Sequence, residues 1–297
     1  MKARTIIKRI INRHNNMEII ENLESLRINQ HNSTISQTAV FTAYQYLIKQ
    51  NYVPDWKNIG FREYSQTDED GILLFIFSII GFTNKMLVDI ACGSPIGSNS
   101  ANLLCNWGFY GLLIDGEKTA VEATREYYRK HPVTHIFPPV VKCEFVTAEN
   151  INQILSDNNI TNEIDLLLLD VDGMDYWFWK KIEIIKPRVV VLEACTYLGR
   201  DKSITVPYNP RFNRFDIHPD YMGASIMAYQ KLSLSKGYRM VACNQFGFNL
   251  FFVREDIAGD FLPEISVDDC FFYEPVELKK KRMERLNAIK GFDWIEV

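Results

Sequence analysis

The acidic residues of this chain collect where apolar runs stop. "DLLLLDVDGMDY" (165–176) carries Asp170, Asp172 and Asp175 around Gly173. Carboxylates this close repel one another, so a bound cation, a substrate hydroxyl or a shared proton is expected among them. Asp175 could instead cap the helix that follows, with Asp172 in the turn. A second run, "VVVLEAC" (189–195), ends in Glu193. A glutamate closing an apolar strand is costly unless it is paired or used. Asp170, Asp172 and Glu193 together could form an all-oxygen Mg²⁺ or Ca²⁺ site, or Glu193 could act as general base toward a sugar hydroxyl.

A different chemistry is written in "MLVDIACGSPIGSN" (86–99), an apolar strand that breaks into small residues with Gly93 and Gly97. Missing Cβ atoms let backbone approach a ligand, and a helix N-terminus offers free N–H groups. The stretch is not G-x-G-x-x-G, because Ala91 holds the first glycine's place. The next strand, "GLLID", ends in Asp115, 22 residues after Gly93. An acid there is placed to accept hydrogen bonds from a ribose diol. Glu117 is a second candidate, and a simple helix-start acid is the alternative for both. Loop and acid together point to a nucleoside-containing ligand. Residues 195–222 lack periodicity and hold three prolines. A loop this long is expected to be functional. Leaving the end of the fifth strand, it could fold over an acceptor pocket and bring Tyr197, Arg200, Tyr208, Arg211, Arg214 and His218. His218 is a candidate proton carrier, although a lone loop histidine is more often structural.

These residues need a frame. Short apolar runs at 85–91, 109–115, 140–147, 163–172 and 188–195 alternate with helical patterns at 97–107, 117–131, 148–158 and 174–185. Continuous apolar strands separated by helices predict a parallel sheet covered on both faces. After a helix over 223–235, the runs 238–243 and 249–255 are joined only by "NQFGF", too short for a crossover, so they should pair antiparallel. The "YWFW" segment (176–179) reads as core packing. Helical patterns also fill 17–28 and 36–50.

Composition excludes several classes. With 297 residues, 47% hydrophobic and a formal net charge of −4, the chain has material for a large core and no general attraction to nucleic acid. Its six cysteines form no CxxC and suit reduced, packed thiols in a cytoplasmic setting. The longest apolar run, 72–80, is too short to span a bilayer. Residues 1–14 hold five Lys/Arg, no acid and isoleucines on one helical face. That segment could lie on an anionic membrane surface, at the inner face of the membrane, or pack on its own domain.

At these residues the chain resembles the FkbM-like S-adenosylmethionine-dependent methyltransferases, over roughly 64–255. "YSQTDEDG" (64–71) is similar to that family's Ser-Gln-x-x-Glu-Asp opening. "LVDIACGSPIGSNSANLL", "GFYGLLID", "IDLLLLDVDGMDY" and "VVVLE" are similar to its following motifs. The resemblance implies a Rossmann-like class I methyltransferase fold: α/β, a mostly parallel seven-stranded sheet ending in an antiparallel hairpin, with an N-terminal helical extension. It implies domains at 1–60 (helical extension), 61–260 (methyltransferase) and 261–297 (C-terminal extension). Asp89, Gly93 and Ser98 would surround the methionine part of S-adenosylmethionine, with Ser65 and Gln66 lining the same pocket. Asp115 would hold the ribose, Glu149 would lie near the adenine, and Asp170 would complete the cofactor set. Asp172, Glu193 and His218 become the catalytic candidates, and Asp170, Asp172 and Glu193 the metal candidates. A similar Asp-Gly-Asp-x-Tyr segment in the TylF-type sugar methyltransferases, which use Mg²⁺, favours a metal there. The departures are Ala91 for a glycine, and Asp115 and Asp172 for glutamates. The implied reaction is O-methylation of a sugar, sugar nucleotide or surface glycan, by a chain that could be a homo-oligomer. The alternatives are a nicotinamide-dependent oxidoreductase or epimerase and a non-catalytic interaction protein. The oxidoreductase is disfavoured by the missing G-x-G-x-x-G and the closing hairpin.

Overall fold

The computed structural model describes residues 33–297, so the isoleucine-rich segment 1–14 and the helical pattern at 17–28 lie outside the described residues. The chain divides into two compact units, Met1–Ala43 and Tyr44–Val297. Residues 33–49 are helical (α1), close to the 36–50 read from the sequence.

The second unit alternates strands and helices: α2 (Glu69–Ile80), β1 (Met86–Ile90), α3 (Ala101–Asn106), β2 (Tyr110–Asp115), α4 (Lys118–Lys130), β3 (Val140–Cys143), α5 (Ile151–Asp157), β4 (Asn162–Leu169), α6 (Asp175–Lys181) and β5 (Ile185–Glu193). A short β6 (Ile204–Thr205) precedes α7 (Ile226–Ser235), β7 (Tyr238–Cys243), β8 (Asn249–Arg254), α8 (Val276–Ile289) and β9 (Ile295–Glu296). The large sheet runs β3-β2-β1-β4-β5-β8-β7. Its first five strands are parallel, and β8 pairs antiparallel with both β5 and β7. This is a Rossmann-like α/β sheet, parallel through five strands and closed by an antiparallel hairpin, as the apolar runs and the short connection predict.

Burial follows pattern. Leu87, Val88, Leu166, Leu167, Val189 and Val190 are fully buried because helices cover both sheet faces. Helix α4 buries only Val121, Thr124 and Tyr128, one stripe at helical spacing, and carries its charges on the other faces. "YWFW" splits as helical geometry requires: Trp179 is buried with its ring 5.1 Å from Phe252, and Trp177 is less so. Parallel strands share a polarity, so Ile90, Asp115, Leu169 and Glu193 all end along one edge.

Several boundaries differ from the sequence reading. The first helix after β1 starts at Ala101 rather than 97, because residues 91–100 wind as a loop. Strand β4 stops at Leu169 rather than 172: the Asp175 carboxylate accepts the N–H groups of Val171 and Gly173 and turns the chain. Asp175 is therefore a turn-former, and Asp170 and Asp172 stand just past the strand. The 195–222 segment is not free. Its β6 pairs with the C-terminal β9, and the Val297 N–H donates to Ser203 O. Among the described residues, no helix is long and apolar enough to cross a membrane.

Candidate functional site at the carboxyl edge of the sheet

The loop after β1 is held from three sides. The N–H groups of Ala91 and Cys92 both donate to Ile114 O, at 2.8 and 3.0 Å. Gly93, at φ +51°, donates its N–H to Asp115 Oδ2 at 2.9 Å, and Thr124 Oγ1 donates to Gly93 O at 2.7 Å. Gly97, at φ +95°, donates to Tyr64 O at 2.7 Å. Ala91 itself sits at φ +64°, a left-handed conformation that favours glycine and marks this turn as strained.

The "YSQTDED" segment is the clamp for this loop. Asp70 Oδ2 accepts the N–H groups of Glu63, Tyr64 and Ser65 and the Ser65 hydroxyl, at 2.6–3.0 Å. Glu69 is fully buried and accepts from Thr67, Asn244 and Asn249. Ser65 is thus spent on the scaffold, while its neighbour Gln66 reaches the cavity wall. Asp89 accepts from the hydroxyls of Ser100 at 2.6 Å and Ser98 at 3.3 Å. Burial pushes its carboxyl up to about 6 in spite of those bonds. An acid with a raised folded value holds its proton more tightly when folded. Stability should therefore fall as pH rises from about 4 to about 6 and then level off, a loss on the order of 2–3 kcal/mol from Asp89. Thermal unfolding across pH 4–8 checks this: Asp89→Asn should flatten the slope, and an unchanged slope would refute the assignment.

Two joined cavities open at this edge. One, of about 170 Å³, is polar and lined by Gln66, Asp89, Gly97, Ser98 and Asn249. The other, of about 380 Å³, is walled by Asp115, Phe145, Met174, Phe178 and Phe212. Ala91, Gly93 and Asp170 border both. The pair suits an elongated ligand with a flat apolar part and a charged tail. Asp115 faces the apolar cavity, its Oδ1 accepting the Glu117 N–H at 2.8 Å, while the Glu117 side chain lines neither cavity. Glu149 also lines neither. It is a rim residue whose Oε2 accepts the Tyr208 hydroxyl at 2.5 Å. Phe145 and Phe212 were not singled out in the sequence. Phe145 could have been found by its position just past the third strand, Phe212 only from the tertiary fold.

The carboxylates form the third part. Asp170, Asp172 and Glu193 each offer an oxygen within 4.8 Å of the others. Asp172 is at φ +54°, and Arg214 Nη1 lies 3.1 Å from its Oδ1. Asp170 borders both cavities and keeps an accessible face. Desolvation there, and then the charges of Glu193, Asp175 and Asp172, raise its pKa well above the ordinary range. Desolvation and the neighbouring aspartates raise Glu193 too. Three enclosed polar atoms lack any hydrogen-bond partner here: Glu193 Oε2, Arg214 Nε and the Tyr229 hydroxyl. The donors are all oxygen, as a hard divalent cation requires. One carboxylate of the three, however, already carries a guanidinium.

Residues 206–214 strap over the apolar cavity rather than over a separate acceptor pocket. The indole N–H of Trp177 donates to Val206 O at 2.9 Å, and the Ala148 N–H donates to the Tyr208 hydroxyl at 3.1 Å. A Cβ on Gly173, at φ +154°, would lie 2.4 Å from the Phe212 ring. Gly173→Ala should therefore lift Phe212 off the cavity and weaken nucleoside binding about tenfold, measured by calorimetry; unaltered binding would show that the strap is not part of the wall. Of the other loop residues, Tyr197 is buried with its hydroxyl on Asp220 O, and Arg200 pairs with Asp268 and Glu274. His218 lines neither cavity; its Nδ1 accepts the Asp220 N–H at 3.1 Å and its ring lies 6.1 Å from Phe292.

No family model matches the chain, and no curated protein matches it. Solved structures do. An O-methyltransferase from Bacillus cereus in complex with SAH is 13% identical, the match covering 71% of this chain and 95% of that one, at a TM-score of 0.41. Magnesium protoporphyrin IX methyltransferase from Synechocystis PCC 6803 with bound SAM is 12% identical, covering 63% and 77%, at 0.40. Geranyl diphosphate C-methyltransferase from Streptomyces coelicolor A3(2), in complex with Mg²⁺, geranyl diphosphate and S-adenosyl-L-homocysteine, is 10% identical, covering 67% and 81%, at 0.37. At such identities and scores these likenesses say nothing of this chain's chemistry, which rests on its own residues.

Proposed function

We propose that this chain is an S-adenosylmethionine-dependent methyltransferase acting on a hydroxyl of a polar acceptor: a sugar, a sugar nucleotide or a surface glycan. The observation that carries the reading is Asp115, tied to the Gly93 amide and facing the apolar half of a divided cavity. An adenosine would lie against Phe145 and Phe212 with its ribose on Asp115. The methionine end would enter the polar half, toward Asp89, Ser98 and Gln66. Ala91, Gly93 and Asp170 border both halves, and nothing lies within 4 Å of where a Gly93 Cβ would point.

When bound, the cofactor supplies a methyl group already activated on a sulfonium. The protein then has to align an acceptor oxygen in line with that methyl and remove its proton. Glu193 would take the proton: its Oε2 has no partner, and its neighbours disfavour its charged form, which raises its basicity. Asp170 and Asp172 would orient the acceptor's remaining hydroxyls. His218 has no part in this reading. Calorimetry with S-adenosylhomocysteine and with NADH tests the ligand class, and transfer of labelled methyl to sugar nucleotides and glycans tests the reaction. Binding of NADH in preference to S-adenosylhomocysteine would overturn the proposal.

A further inference from the structure

The acidic cluster has a cation of its own. Asp170, Asp172 and Glu193 bring three carboxylates within 4.8 Å, and like charges that close repel one another. The compensation comes from the strap. Arg214 reaches down beside Met222 and places Nη1 3.1 Å from Asp172 Oδ1, and its positive charge is felt at Glu193. Its Nε–H is enclosed and has no partner, and so is Glu193 Oε2. One is a donor and the other an acceptor. A hydroxyl that met both would accept from Arg214 and donate to Glu193.

We propose that Arg214 is the resident cation of this pocket, in the place a divalent metal would take, and that it fixes the acceptor oxygen against Glu193. The second half of this statement rests on the methyltransferase reading; the first does not. Asp175 is no competitor for Arg214, because both its oxygens are used by the Val171 and Gly173 amides. Cys195 is no metal ligand either: it is fully buried and its thiol donates to Met222 O at 3.1 Å. Arginine suits the position because its planar fork can hold a carboxylate with one edge and keep a further N–H free.

The test uses the whole chain with Mn²⁺ alone, without cofactor, followed by electron paramagnetic resonance. The wild type should take up no stoichiometric Mn²⁺ at millimolar concentration. Arg214→Ala should gain one site per chain, because the emptied position leaves three carboxylates to share a cation, and Arg214→Ala/Glu193→Gln should lose it. Arg214→Lys keeps the charge and should gain none, which separates the effect from misfolding. In turnover, EDTA should leave the wild type within twofold, while Arg214→Ala should lose about a hundredfold in kcat, the cost of one donor to the reacting centre, with partial rescue by guanidinium. A wild-type chain that binds one Mn²⁺ tightly, an Arg214→Ala chain that gains none, or turnover abolished by EDTA would each overturn the proposal. The Mn²⁺ measurements hold even if no methyl acceptor is found.

Discussion

Glu193→Gln should lower the turnover of methyl transfer by about 10²–10⁴-fold, the contribution expected of a positioned base. S-adenosylhomocysteine affinity should stay within a factor of a few, because Glu193 borders neither cavity. The amide has nearly the shape of the carboxylate but cannot take a proton. Burial and the charges of Asp175 and Asp172 push the Glu193 carboxyl up to about 7. A base must be deprotonated to act, so the wild-type rate should climb as pH rises toward and through neutrality. The variant's residual rate should lose that limb. Stability moves the other way: removing one of several mutually repelling carboxylates should leave Glu193→Gln no less stable than the wild type above neutral pH. A variant that turns over within threefold of the wild type, with the same pH limb, would take the base role from Glu193.

Asp115→Ala should weaken S-adenosylhomocysteine binding by about 10²–10⁴-fold. The ribose would lose two hydrogen bonds to a charged group, at about 1.5–3 kcal/mol each. A second effect adds to the first. The Asp115 carboxylate also accepts the N–H groups of Gly93 and Glu117, so its removal releases the glycine loop that shapes both cavities. Asp115→Asn separates the two contributions: it keeps the shape but turns a donor toward one of those amides. Its affinity should fall between the wild type and the alanine variant. Calorimetry measures all three, and an alanine variant binding at full strength would remove the ribose assignment.

The alternation of apolar strands with amphipathic helices was legible in the residues, because a parallel sheet covered on both faces leaves unbroken runs such as "DLLLLD" and "RVVVLE". The closing hairpin was legible as well, since five residues cannot make a crossover. The candidate acids were visible as charges that end those runs. Their division of labour was not. Asp175 read either as a member of the cluster or as a structural acid at the next helix, and the fold uses it to turn the chain; Ser65 read as a pocket residue and holds a clamp with Asp70. Both depend on which backbone amides a carboxylate meets, and sequence spacing does not encode that.

What the sequence by itself determined is the order of elements and the edge on which Asp89, Asp115, Asp170 and Glu193 emerge. Side-chain period and connection length leave few other ways to bury those runs. What only the tertiary structure decided is what closes the site. Arg214 and Phe212 come from an aperiodic loop whose position depends on pairing with the last residues of the chain, β6 against β9. Contacts between segments some ninety positions apart leave no local pattern to read, so the pairing of a guanidinium with the acidic cluster emerged only when the chain was folded.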